Sequence, residues 1–410
     1  MTVISRERQT HVQRSLVVVF LLQGFISAAL IPRVPDIIAN IGVSFAEWGV
    51  ISAFGTVGAA SGLFVANRAI ERYGVRATTM VSLGAVGIAN ATLGWLTDST
   101  VFFVVNFAMA LCLSVFVIAV NSQTVVLQTL SGRVIIGRFH AAWSAGAAAS
   151  AALSGFLAGF LPVGIHLTIF SAVGLAVFFV VAPRMLNRSE ERIAEGSSGE
   201  KAVAWRRMPK RVYLLGIGLA VGVFPEASMW DWSSVYGRDA LGFDPARAAL
   251  PYACFATAMI VGRVLIDVVA KRIPLSLQAA VGGVLAAVSM SISILAGPGL
   301  ITLDETSGLV LVSFLWALAG LGTASMAPAF LSSAAIVSGM SAAAALTRMS
   351  VMQTALIIAL KFSMGASAET AGVAIAMWLP VGSWIAASVV AVIVLRLSRR
   401  HHAIAQVSSN

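Results

Sequence analysis

The sequence predicts an all-α membrane protein of twelve spans grouped as two six-helix bundles, from its composition, the length of its apolar runs and the one-sided placement of its charges. Of 410 residues, 59% are apolar and 11% charged, against about 45–50% and about 25% in soluble domains. A single core cannot absorb that surplus, because cores stop growing near 250–300 residues, so the excess faces lipid. At about 20 residues per span the chain holds a dozen helices and leaves no room for a large catalytic domain.

The first span, near 15–38, opens after Arg6, Arg8 and Arg14. It is too long for a signal peptide and lacks a small-residue cleavage site, so it reads as uncleaved. Further apolar runs lie near 46–66, 76–96, 101–124, 139–161 and 164–182. The fifth is saturated with Ala, Gly and Ser, which permits close helix contact and would let the two bundles slide past each other. From 184 to 211 the chain turns polar, with eight basic residues around a Gly-Ser-Ser-Gly stretch. A second set of runs follows near 212–236, 248–269, 275–297, 307–330, 342–364 and 371–396. The expected organisation is an N-terminal bundle over 1–183, a cytoplasmic linker over 184–211 and a C-terminal bundle over 212–410.

Charge placement supports this count. Arg68, Arg72, Arg76, Arg133, Arg138, the linker cations, Arg263, Lys271, Arg272, Arg396, Arg399 and Arg400 fall on the side of the N-terminus, so both termini are expected in the cytoplasm. The net charge of +10 is thereby explained without nucleic acid, for which no basic and aromatic strip exists. Cys112 and Cys254 lie in apolar runs with no metal-ligand spacing around them, and the five histidines are scattered. Neither a metal, a cofactor nor an enzyme's acid–base cluster is expected. The absence of a Walker A segment leaves ion gradients as the energy source.

The halves repeat each other. Ile41-Gly42-Val43-Ser44-Phe45-Ala46-Glu47 aligns with Leu241-Gly242-Phe243-Asp244-Pro245-Ala246-Arg247, and Gly62 with Gly262, at one offset of 200 residues. Parallel six-helix repeats joined by a cytoplasmic linker are the major facilitator architecture.

Between the second and third spans, Glu71-Arg72-Tyr73-Gly74-Val75-Arg76 resembles the major facilitator loop signature Asp-Arg-x-Gly-x-Arg, with Glu for Asp and with Asn67 where a Gly normally begins it. The resemblance implies a cytoplasmic gating role for Glu71, Arg72, Gly74 and Arg76, echoed in the second half by Arg263 and Asp267. Arg33-Val34-Pro35-Asp36, His140 to Gly146, Glu226-Ala227 before Asp231-Trp232, and Thr347-Arg348 together resemble the YbjJ-type branch, distantly related to fucose permeases. Where that branch leads one to expect a Gly-Pro pair late in span eleven, this chain has Leu360-Lys361-Phe362.

Ionisable groups inside a bilayer cost about 2.5–3.5 kcal/mol at mid-span and by default line a cavity. Arg33, Asp36, Glu226, Asp231 and Lys361, with Trp230 one turn after Glu226, form the expected substrate-binding set. Arg33 and Asp36, three residues apart, can also pair locally. Asp231 lies about 140° around the helix from Glu226, so the two carboxylates do not share a site. Glu226, near mid-membrane, is the expected carrier of the coupling proton, because desolvation favours its neutral form; the competing account pairs it permanently with a cation such as Lys361. Two outer cations, Arg33 and Lys361, point to an anionic or polyhydroxylated substrate. The expected function is secondary active transport of a small solute by alternating access, coupled to protons, by a monomeric multi-pass protein of the cell inner membrane. The alternative is a drug or metabolite efflux antiporter, against which the missing Gly-Pro pair of span five counts.

Overall fold

The computed structural model describes residues 5–131, 135–192, 209–338 and 340–408, all helix, turn or coil with no strand among them. Most of the expected linker, at 193–208, and Arg133 lie outside the described residues, as does the Asp267 side chain. In lipid every backbone polar group must be satisfied within the segment, which leaves helices as the only solution for a chain patterned in long apolar runs.

The helices are α1 (Arg6–Ala28), α2 (Val34–Ile41), α3 (Phe45–Tyr73), α4 (Val75–Leu93), α5 (Ser99–Ser131), α6 (Ile136–Leu157), α7 (Val163–Val181) and the short α8 (Arg188–Arg192). They continue as α9 (Lys210–Val235), α10 (Pro245–Ala270), α11 (Leu275–Leu303), α12 (Glu305–Thr323), α13 (Met326–Val337), α14 (Ala342–Ala371), α15 (Val373–Ala376) and α16 (Trp378–Ser408). Among the described residues ten segments are long and apolar enough to cross a membrane, α1 with α2 and α12 with α13 each making one. Helices α4 and α6 are of spanning length, 19 and 22 residues, but Thr, Ser, Asn and Gly dilute their hydropathy. Counting them brings the total to twelve.

Several helices outrun the expected spans. α3 continues to Tyr73 rather than ending at 66, and α5 to Ser131 rather than 124. Apolar length measures the hydrocarbon slab, whereas helical hydrogen bonding is free to continue into the interface. Arg68, Glu71 and Arg72 therefore ride on the end of α3, and only Gly74 is a true turn residue. The first span breaks at a 3-10 turn, Ile31–Arg33, where Pro32 has no N–H to donate to the helix ladder.

The chain divides into two compact units. The first comprises Met1–Ser44 and Phe54–Lys201, the second Phe45–Ala53 and Ala202–Asn410. In the first, Val12, Leu16, Val19 and Phe20 of α1 join Leu83, Val86, Phe116, Phe139 and Phe178 in one buried cluster. Here the small residues of α6 have a different use from the one expected. A Cβ on Gly24 would run into the Trp143 carbonyl oxygen, and one on Gly146 into that of Leu21. Ser154 Oγ donates to Ala29 O at 2.7 Å. At Gly146 and Ser154 the small residues thus lock α6 onto α1 inside the unit.

In the second unit α9 packs against α10, α13, α14 and α16, and α11 against α12 and α16. The repeat is visible in backbone detail. Gly42 and Gly242 end corresponding segments with φ of 64° and 68°, the left-handed region that a side chain disfavours. Gly62 lies against Leu111 and Ser114 of α5, and Gly262 against Leu321 of α12 and Ala324 just beyond it.

Candidate functional site

Helix α9 carries two acids five residues apart, and each meets a cation from a different helix. Pro225 precedes the first; it leaves the Val221 carbonyl without its usual helical donor and so weakens the ladder where Glu226 projects. Glu226 Oε2 accepts from Arg263 Nη2 of α10 at 2.8 Å, with 30% and 36% of the two side chains exposed. Asp231 Oδ2 meets Lys361 Nζ of α14 at 2.8 Å, and this pair is more enclosed, at 13% each. The same carboxylate oxygen accepts from Ser52 Oγ at 2.5 Å, while Lys361 Nζ also approaches Ser52 O at 3.4 Å. Three segments of the second unit, from α3, α9 and α14, therefore converge on one carboxylate. The α3 segment is fastened further along, where Glu369 Oε2 accepts from the Phe45 and Ala46 N–H groups at 2.9 and 3.3 Å.

Trp230 stands edge-on to Tyr252, ring centres 6.4 Å apart and planes at 89°. The latter stacks on Phe255 at 6.5 Å. An aromatic wall is thereby set beside the charged pairs on α9 and α10.

Arg33 and Asp36 behave differently. The Arg33 side chain, 3% exposed, bonds Asp36 at 2.7 Å. Its two terminal nitrogens donate to Leu161 O at 3.0 Å, just past the end of α6. This is the local pair allowed by three-residue spacing, and it ties the first span to the α6–α7 turn.

At the other face of the first unit, the signature residues make mostly backbone contacts. Arg188 donates to Glu71 O at 2.7 Å and Arg72 O at 3.3 Å, and Arg76 to Pro183 O at 3.0 Å. Arg72 covers the Tyr73 ring at 5.5 Å. Gly74 turns the chain with φ of 82°. Arg8 bonds Glu190 at 2.9 Å and donates to the Arg184 and Met185 carbonyls at 2.7 and 2.9 Å. The Arg8 bond holds the Glu190 carboxyl below its usual range, with the Asn187 N–H adding to the effect against partial burial.

Three readings of the sequence need correction. Arg263, counted with the loop cations for its charge although the apolar run near 248–269 contains it, sits inside α10, which runs on to Ala270. Lys361 is the partner of Asp231, and Arg263 that of Glu226. Arg33 and Lys361 are both charge-compensated, so they no longer make a case for an anionic substrate. Ser52, Arg263 as a mid-helix partner, and Tyr252 were missed. A signal did exist for Arg263: it falls one turn after Met259 in a run that stays apolar through Ile266.

A sequence model of the Major Facilitator Superfamily matches residues 16–355. A protein of Sinorhizobium fredii named as an uncharacterised transporter is 28% identical over 319 residues, 77% of this chain and 80% of that protein. An uncharacterised MFS-type transporter of Yersinia pestis is 23% identical over 244 residues, 60% of this chain and 62% of that one. Among solved structures, a bacterial homologue of the lysosomal transporter Spinster superposes with a TM-score of 0.70 at 15% identity, covering 97% and 98% of the two chains. The nucleoside transporter NupG gives 0.73 at 11%, covering 94% and 99%, and a D-xylose-proton symporter 0.70 at 12%, covering 93% and 97%. Twelve spanning segments among the described residues, the glycine-marked repeat and a family match across more than half the chain lead to one conclusion: this chain belongs to the Major Facilitator Superfamily of transporters.

Proposed function

We propose that the chain is a proton-coupled secondary transporter of a small polar solute, working by alternating access between an N-terminal bundle (1–183) and a C-terminal bundle (212–410) joined by a cytoplasmic linker. Both termini are cytoplasmic in this reading, the protein acts as a monomer in the cell inner membrane, and the resemblance of its motifs supports membership of the YbjJ-type branch. The D-xylose-proton symporter of similar fold is compatible with such coupling.

One observation carries the proposal: Glu226 sits mid-helix beside Pro225, partly exposed, in a single ion pair with Arg263. A carboxylate so placed can exchange protons and release its arginine. Protonation removes one charge of the pair and frees Arg263 to meet the solute. Trp230 and Tyr252 supply a flat apolar contact, and the more enclosed Asp231–Lys361 pair orients polar groups of the ligand. Arg33 and Asp36 serve the first unit's architecture instead.

Reconstitution in proteoliposomes tests it. With a solute identified from a substrate library under an imposed pH gradient, Glu226→Gln should retain counterflow exchange but lose accumulation driven by the gradient. Retained accumulation would eliminate Glu226 as the proton carrier.

A further inference from the structure

Within the first unit lies a cavity of about 430 Å³ that has no part in the site on α9. Arg6, Gln9, Thr10 and Gln13 of α1 form one wall, and Ser131 and Arg138 the other, with Leu127 and Ile135 as the apolar remainder. Among the described residues none that line it is acidic; two arginines and four neutral polar residues do, with Gln9 Nε2 donating to Leu130 O, Thr10 Oγ1 to Arg6 O and Ser131 Oγ to Gln128 O. Helix α6 begins at the rim, and its cap residue Ile135 provides no side-chain bond to the first-turn N–H groups. Such a collection of donors and positive charge recognises a phosphate oxygen.

The position of the cavity narrows the source of that phosphate. The continuous apolar run of α1 begins at Leu16, less than three turns from Arg6, and Val12 and Leu16 are fully buried in the core. The cavity therefore stands at the boundary of hydrocarbon and headgroup, on the side that the basic residues assign to the cytoplasm. Leu127 and Ile135 offer the contact that a glycerol backbone or the start of an acyl chain would use. A soluble phosphate would have no use for them.

We propose that this cavity is a binding site for the headgroup of an anionic phospholipid, held by Arg6 and Arg138 with the amide of Gln13.

Native mass spectrometry of the full chain in detergent, titrated with phosphatidylglycerol or with phosphatidylcholine, tests the proposal. The wild type should take up phosphatidylglycerol in preference. Loss of two cations near a membrane surface should weaken that adduct about thirtyfold in Arg6→Gln/Arg138→Gln. Lys271→Gln, which removes a cation beyond the end of α10, should leave it unchanged. The charge-retaining pair Arg6→Lys/Arg138→Lys should recover most of the binding, which guards against a folding defect in the neutral variant. Equal uptake of both lipids, or equal weakening by Lys271→Gln, would overturn the site. Displacement of the lipid by inorganic phosphate would reassign the cavity to a soluble anion.

Discussion

Lys361 of α14 closes on Asp231 of α9 at 2.8 Å, which leaves Glu226, one turn and a half earlier on the same helix, to Arg263 of α10. The two acids are thus separated by partner as well as by azimuth. A proton arriving at one does not directly release the cation of the other, and the two pairs can be broken independently.

That independence is measurable in the enclosed pair. Removing one partner of a buried ion pair leaves an uncompensated charge and costs about 3 kcal/mol, whereas replacing both with neutral groups is often close to neutral. Asp231→Asn and Lys361→Met should each lower thermal stability in detergent, and the double variant should recover most of the loss. Additive losses would show that the two residues do not depend on each other.

Steric exclusion at the α1–α6 crossing gives a second expectation. Gly146→Ala or Gly24→Ala must push backbone against backbone and should destabilise by about 1–3 kcal/mol. Gly159→Ala, where a Cβ meets nothing within 4 Å, should change stability little. Thermal unfolding followed by intrinsic fluorescence would separate them.

The signature turn depends on backbone geometry more than on its acid. Gly74 holds φ at 82° and ψ at 161°, a region open essentially to glycine alone, and an alanine there should cost about 1–3 kcal/mol. Since Arg188 bonds the carbonyl of Glu71 and not its carboxylate, Glu71→Gln should keep wild-type stability. If the carboxylate has the gating role that the signature implies, this variant should instead change cross-linking between cytoplasmic helix ends. Unaltered cross-linking in a protein that still transports would reduce the residue to a topogenic charge.

A fourth expectation concerns pH. Glu190 is held below its usual range by Arg8, so it binds its proton less readily folded than unfolded. Its contribution is present above the ordinary carboxylate pKa and fades as pH falls through the depressed folded value. Hydrogen exchange of residues 184–192, taken relative to the intrinsic amide rate at each pH, should therefore quicken on acidification in the wild type. In Glu190→Gln it should be fast already at neutral pH and respond less to acid; identical profiles would remove the Arg8 bond from the account.

The span count, the repeat and the identity of the acids inside the membrane were all legible in the residues. Gly42 and Gly242 share an offset because both must end a helical segment in the left-handed region, and a glycine at such a place can be read from one dimension. Partners are another matter. Which cation faces Glu226 depends on the rotation of α9 against α10 and α14, and spacing within a helix carries no information on the azimuth of its neighbours. Ser52 was invisible for the same reason, being an ordinary small residue until α3 is laid beside α9.

The locking of α6 onto α1 has a mechanical corollary. The two helices and the turns that follow them are joined at three heights, by Gly24 and Gly146 near mid-span, by Ser154 to Ala29, and by Arg33 to the Leu161 carbonyl. A ratchet of one helical turn, about 5.4 Å, would break all three at once, and no compressible layer of side chains exists at the crossing to absorb a fraction of it. The pair behaves as a splint: it can tilt or rotate as one rod, and lengthwise shear between its members is denied to whatever cycle the transporter performs.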